Sequence, residues 1–249
     1  MTFSEFTYKN AHYRIASDRT GIITESIRSR RLQLEDYIAF HPDFADALTP
    51  LPAPPPEGGP EIVRYLDAAS RKTGVGPMAA VAGTLAAMAC MDAAAAGAEE
   101  AVIDNGGDIY IGKLKTQQPV YIGIYASAGP SFRDLAFKIE AGDIPLAVCS
   151  SSGTMGHSLS FGKCDLATVF SPDAAVADAV ATAACNSVLS ADDIEKVLNY
   201  VNGIPDISGA VIIKGERIGM AGTVPELVRH HDPMLPSKVT KAPASNFPG

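Results

Sequence analysis

The chain has 249 residues, 47% hydrophobic and 19% charged, with a formal net charge of −8. At that size roughly 70–75% of the unfolded surface is buried on folding, so no staple is required, and this composition excludes a disordered chain. Arg28, Arg30 and Arg31 form the densest basic group, which excludes nucleic-acid binding as the main role.

The four cysteines, Cys90, Cys149, Cys164 and Cys185, form no C-x-x-C, and no histidine stands at zinc spacing from them. Each lies in an apolar run, where a free cysteine behaves as a small buried hydrophobe. Cys149, beside a serine-rich loop, is the best candidate to do more. The N-terminus has no apolar h-region, so a cytoplasmic protein without a signal peptide is expected. Residues 77–96 have membrane length. They are dominated by alanine, half of the stretch, include Asp92 and lack interfacial Trp or Tyr, which points to a buried helix and no membrane association.

In chain order, residues 11–27 alternate as two strands around the turn signal Asp18-Arg19-Thr20-Gly21. Residues 28–40 carry Leu34, Tyr37 and Ile38 at helical spacing, and His41-Pro42 ends that helix. A proline-rich connector follows at 52–60, unable to form helix or central strand. The piece before it is too short to hold a core alone, so the expectation is one domain over 1–249. Residues 60–73 predict a helix with Ile62, Leu66 and Ala69 inward. Residues 77–96 predict a second, opened by Pro77 and built of small side chains that permit close backbone approach. Its amides, after Gly74 and Gly76, suit an anion or a plain helix start.

Residues 101–112 predict a hairpin turned at Asn105-Gly106-Gly107, residues that tolerate positive φ. Further strands are expected at 119–126, 135–140, 145–150 and 166–170. Helices are expected at about 173–189 and 191–202, with Ser190 and Asp193 resembling a capping box. A hairpin over 207–214 and 216–221 turns at Lys214-Gly215, and an irregular tail occupies 232–249. Strands in runs and helices in pairs predict an α+β fold with a mainly antiparallel sheet.

The chemistry concentrates between Ser150 and Asn186. Asp178 and Thr182 are four residues apart and share a helix face among alanines. A carboxylate there is buried and needs a cation or several donors. With a hydroxyl beside it, the pair suits a hard ion such as Mg²⁺. Alternatively Asp178 accepts bonds from amides and ties the serine-rich loop down, and composition leaves both open. His157, between Gly156 and Ser158, suits a general base or a phosphate ligand; a histidine satisfied by a backbone carbonyl is the plainer reading. The loop around it, with Ser150, Ser151, Ser152, Gly153 and Thr154, has hydroxyls and amides enough to cradle an anion. It matches neither G-x-S-x-G nor the P-loop. Asn105, Gly106, Gly107 and Asp108 form either a simple hairpin or one whose second glycine lets a ligand approach the backbone. His230 and His231 are expected at the surface.

Taken together, GVGPMAAVAG at 74–83, NGGDIYI at 105–111, SSGTMGHSLSFGKCD at 151–165 and ADAVATAACN at 177–186 resemble the UPF0280 (DUF375) family, a branch of the ApbE-like superfamily. The resemblance covers nearly the whole chain. It implies a T-fold-like α+β arrangement. ApbE proteins are FAD:protein FMN transferases that use Mg²⁺ to cleave FAD and attach FMN to a threonine. The resemblance implies Asp178 and Thr182 as metal ligands, matching A-D-A-x-A-T. It implies flavin contacts at Asn105, Gly106, Gly107 and Asp108 and at Ser151, Ser152, Gly153 and Thr154, with His157 as the catalytic histidine. The chain departs from the ApbE pattern in having no D-P-x-T-G after His157.

The reading that results is an enzyme binding FAD or a related nucleotide with Mg²⁺ for flavin or phosphate transfer. One alternative is a factor in sulfide-dependent homocysteine synthesis in anaerobes, as proposed for UPF0280 members; another is a non-catalytic flavin- or metabolite-binding protein. The small-residue helices also suit the close contacts of a homodimer, although no sequence feature fixes the oligomeric state.

Overall fold

The structure is a computed structural model in which residues 1–126, 132, 134–153 and 163–230 are described. His157 and Thr154, His231 and the expected tail at 232–249 lie outside the described residues. Eight strands form one sheet: β1 (Ser4–Tyr8), β2 (Ala11–Ser17), β3 (Ala101–Asn105), β4 (Asp108–Lys113), β7 (Leu146–Ser151), β8 (Leu166–Ser171), β9 (Gly209–Lys214) and β10 (Arg217–Gly222), in that spatial order. A second sheet has the order β11 (Glu226–Arg229), β6 (Leu135–Ile139) and β5 (Val120–Gly123). Every pairing in both is antiparallel. The fold is therefore α+β around a large antiparallel sheet.

The two faces of the large sheet bury different partners because side chains alternate along each strand. One face carries Tyr13, Ile15, Ile103, Tyr110, Ala147, Cys149, Ala167, Val169, Ala210 and Ile212 under the helices. The other carries Val148, Phe170 and Val211 against Phe137 and Ile139 of the small sheet. Phe137 and Phe170 meet edge to face there, with centroids 4.9 Å apart. β8 is buried at every residue because it is covered on both sides.

The helices are α1 (Thr20–Phe40), α2 (Pro42–Asp46), α3 (Glu61–Thr73), α4 (Val81–Ala95), α5 (Ala174–Ser187) and α6 (Ile194–Asn202). The expected strand after the 18–21 turn is corrected: α1 begins at Thr20, with Ile23, Ile27 and Leu34 buried. Asp18 is the joint between β2 and that helix, accepting the amides of Glu99 and Glu100. Ile62, Leu66 and Ala69 of α3 face inward as their spacing predicts. α4 is long and apolar enough, together with the 3-10 turn Pro77–Ala80, to cross a membrane by length and composition. In this fold it is packed on α1, α5, β3 and β4.

Two local readings hold in detail. Gly106 and Gly107 both take positive φ, 71° and 102°, so the 105–108 hairpin uses the conformations only glycine adopts freely. Asp193 Oδ2 accepts the Ser190 amide at 2.7 Å and the Ser190 hydroxyl at 3.0 Å, the capping arrangement expected before α6. Two strands have no counterpart in the sequence reading, β1 and β11. Both are short edge strands whose identity depends on the neighbour they pair with.

Candidate functional site

The antiparallel registers set one row of side chains across the helix-covered face. Tyr13 pairs with Asn105, Asn105 with Asp108, and Cys149 with Val169. Ile109 pairs with Val148, and that register continued by one residue sets Asp108 opposite Cys149. The row Tyr13–Asn105–Asp108–Cys149 thus collects residues from four strands under the N-terminal end of α4 and the middle of α5.

Asn105 is held on two sides. Its side-chain Nδ2 donates to Ala82 O at 3.1 Å, and its side chain bonds the buried Tyr13 hydroxyl. Burial pushes the Tyr13 phenol up to about 12, so it stays a neutral hydrogen-bonding group. Asp104, on the opposite face, accepts the Gly107 amide at 3.0 Å and closes the hairpin. Asp108 accepts the Ser150 amide at 3.3 Å and bonds the Cys149 thiol. These bonds fix the hairpin's carboxylate inward, against β7.

Asp178 Oδ2 accepts the amide of Gly83 at 2.8 Å, and the Ala82 amide also bonds this carboxylate. These are second and third residues of α4, whose own N-cap residue, Ala80, has no side chain to offer. Asp178 therefore caps α4 from another helix, satisfying amides that the helix leaves free. Of the two readings of Asp178, amide binding is present, but the amides belong to α4 rather than to the serine-rich loop. The anion at the α4 N-terminus is the protein's own. Thr182, one turn further along α5, is half-buried.

The approach of α4 to α5 and β7 depends on Gly83. A Cβ at that position would lie 2.7 Å from Ala174 O, 3.0 Å from Asp178 Cβ and 3.2 Å from Cys149 Sγ. The thiol of Cys149 reaches the carbonyl of Ala174 at 3.8 Å. Its acidity is pushed well below that of an ordinary thiol by burial and by the neighbouring Asp108 and Asp178. Such a thiol is a packing group, not a nucleophile.

Asp108 and Asp178 are both buried. Among the described residues, no lysine or arginine forms an ion pair with either. Burial pushes Asp178 up to about 7 against the pull of its two amides. Asp108 is driven well above the ordinary carboxylate range by burial and then by the charge of Asp178. Asp178, held by amides, ionises first of the two, and Asp108 keeps its proton longer.

Ser151 ends β7 on the same face as Cys149, and the continued β4–β7 register sets it opposite Gly106. It is buried, and its Oγ has no hydrogen-bond partner among the described residues. A buried hydroxyl without a partner costs about 1–3 kcal/mol, so such a group marks a place where something else bonds. Ser152 and Gly153 follow half-buried, and the Gly153 amide donates to Cys164 O at 2.9 Å, closing the chain on the far side of 154–162.

The donor set fits a hard cation held by few protein ligands. Among the described residues two buried acids lack a counter-cation, one hydroxyl lacks a partner, and no cluster of three His, Cys, Asp or Glu exists. An ion here would complete its shell with water and phosphate oxygens, the habit of Mg²⁺ rather than of zinc. The structure brings Asn105, Asp108, Ser151 and Asp178 to one end of one sheet face. The sequence reading did not single out Tyr13 or Gly83, the last residue of the 74–83 motif; only the register and the helix crossing reveal their roles.

The family model described as "AbpE bacteria" matches residues 14–218. The UPF0280 protein of Methanococcoides burtonii is 41% identical over 218 residues, spanning 86% of this chain and 90% of that one. That of Methanosarcina barkeri is 42% identical over 228 residues, spanning 90% and 88%. Among solved structures, the apo flavinyl transferase ApbE of Pseudomonas stutzeri superposes with a TM-score of 0.53 at 13% identity, covering 88% of this chain and 94% of that one. The ApbE protein of Thermotoga maritima gives 0.51 at 14% identity, covering 96% and 100%. At such identities the superpositions establish a shared fold.

Proposed function

The chain belongs to the UPF0280 family of ApbE-like proteins, and from that premise we propose that it binds a flavin nucleotide together with Mg²⁺ and transfers a flavin-bearing or phosphoryl group. The observation that carries this reading is a Ser151 hydroxyl without a partner among the described residues, set with two buried acids that have no counter-cation among them, at one end of one sheet face. The ApbE likeness of the fold supports flavin as the ligand class. The family match over 14–218 supports reading the chain as one domain.

In this proposal Asp178 and Thr182 hold the metal, and Asp178 retains its α4 amides as it does so. Gly106 and Gly107, lacking Cβ atoms, let the ligand reach the hairpin backbone. Ser151 donates its hydroxyl proton to a ligand oxygen, Ser152 and Gly153 extend that wall, and Thr154 is a further ligand contact expected from the family resemblance. Asp108, kept protonated by its surroundings, holds a proton beside the site without adding a second negative charge. His157 serves as the acid–base group. Mg²⁺, when bound, neutralises charge on phosphate oxygens.

The test is calorimetric titration of FAD into the protein with and without Mg²⁺, repeated with Asp178→Ala. Magnesium-dependent binding lost in the variant, followed by FAD turnover, is the expected result. Absence of binding in both conditions would remove the flavin reading. Cys149 gives no support to the sulfur-transfer alternative, because its buried thiol resists ionisation.

A further inference from the structure

Two thiols that the proposed chemistry does not use lie against each other. Cys164 precedes β8 and Cys185 lies near the C-terminal end of α5; both are completely buried. Their side chains are hydrogen-bonded to one another, and the Cys164 thiol also reaches Ile213 O at 3.5 Å. The chain around Cys164 is pinned on both sides. Lys163 N donates to Val188 O at 3.2 Å and Asp165 N to Ile213 O at 3.1 Å. Gly215 N donates to Asp165 Oδ2 at 2.7 Å. Cys185 follows Asp178 by seven residues and Thr182 by three, two turns and one turn along the same face of α5.

We propose that Cys164 and Cys185 form a reversible thiol–disulfide pair that latches the 163–165 segment to α5, the helix carrying Asp178 and Thr182. The co-reactant is a low-molecular-weight disulfide. One cysteine, as thiolate, attacks it and releases one small thiol, leaving a mixed disulfide. The second cysteine attacks that mixed disulfide and releases the second small thiol. One protein S–S bond forms, two protein S–H bonds are lost, and the oxidant's S–S bond becomes two thiols.

The Lys163 N to Val188 O bond sets the Cys164 segment against the C-terminal end of α5, beside Cys185, and a bridge needs the two sulfurs about 2 Å apart. The remaining cysteines are engaged elsewhere. Cys90 Sγ faces Tyr110 O at 3.7 Å and Cys149 Sγ faces Ala174 O at 3.8 Å, so neither competes. Mutual hydrogen bonding and burial make the Cys164 thiol hard to ionise. Exchange needs a thiolate with access to the oxidant, so the bridge forms slowly and faster as pH rises.

The experiment incubates the full chain with oxidised glutathione or diamide at pH 7 and pH 9 and then blocks free thiols under denaturing conditions. Digestion before aspartates separates the two cysteines, because Asp165, Asp173 and Asp178 lie between them. Expected are loss of two of the four thiols, a Cys164–Cys185 cross-linked peptide, and a melting temperature raised by about 5 °C that dithiothreitol reverses. Retention of all four thiols at both pH values would overturn the proposal. So would separate glutathione adducts on Cys164 and Cys185, pairing with Cys90 or Cys149, or a bridge that lowers the melting temperature. The wild-type mapping stands without variants; Cys164→Ser and Cys185→Ser add the expectation that each abolishes the cross-link.

Discussion

Asp178, in the middle of α5, accepts a hydrogen bond at 2.8 Å from the amide of Gly83, 95 residues earlier in the chain. The bond exists because Gly83 has no Cβ. Any side chain there would meet the Ala174 carbonyl at 2.7 Å and the Asp178 and Cys149 side chains just beyond. Gly83→Ala therefore forces α4 away from α5 and weakens the cap. The expected loss is about 1–3 kcal/mol, the usual cost of overpacking a filled core, seen as a melting temperature lower by roughly 5 °C. An unchanged melt would mean that α4 shifts freely and that the cap is not tightly held.

Asp178 gives a pH dependence with a defined sign. Its carboxyl is raised from 3.8 to about 7 by burial, so between those values the folded protein holds a proton that the unfolded chain has released. Stability from this group is fully present below about pH 4, falls as pH rises and is lost by about pH 7. Asp178→Asn keeps an acceptor for the Gly83 amide and removes the titration. The stability difference between variant and wild type should then shift in favour of the variant from pH 4 to pH 7, by on the order of 3 kcal/mol. Mg²⁺ should raise the melting temperature of the wild type and not that of the variant. A pH-independent difference would show that the carboxyl is not raised.

Asn105 was legible as hairpin chemistry, since Asn-Gly-Gly announces a turn with positive φ. Its second role was not. The side chain bonds Ala82 O and the Tyr13 hydroxyl, partners that only the β2–β3 register and the α4 crossing bring near. Asn105→Ala leaves both buried groups short of a bond and should cost about 1–3 kcal/mol in denaturant melts, with or without ligand. A variant of wild-type stability with weakened flavin binding would instead make Asn105 a ligand contact alone.

The sequence carries the architecture where local chemistry and burial agree. The hairpin at 105–108, the Ser190–Asp193 cap and the inward stripe of α3 are all set by residues a few positions apart. It misleads at Thr20 to Ile27, where Ile22 and Ile23 fit an alternating pattern as well as a helical one. There Ile23, Ile27 and Leu34 are buried on one face of a helix, against partners remote in sequence. The site divides the same way. Asp178 and Thr182 stand out because a carboxylate among alanines needs a partner. The identity of that partner, Gly83, and the row from Tyr13 to Cys149 are products of non-local pairing that no window of sequence contains.

Ser151 separates a binding role from a structural one. Its hydroxyl is buried and lacks a partner among the described residues, so removing it there relieves a desolvation cost without breaking a bond. Ser151→Ala should leave the free protein as stable as wild type or about 1 kcal/mol more stable. If the hydroxyl bonds a ligand oxygen, the same variant should bind Mg²⁺–FAD about tenfold more weakly, the worth of one hydrogen bond to a charged group. Paired melts and titrations on one preparation read both quantities. Destabilisation without ligand would place the hydroxyl in the fold's own bonding; equal affinity for Mg²⁺–FAD would remove Ser151 from the site.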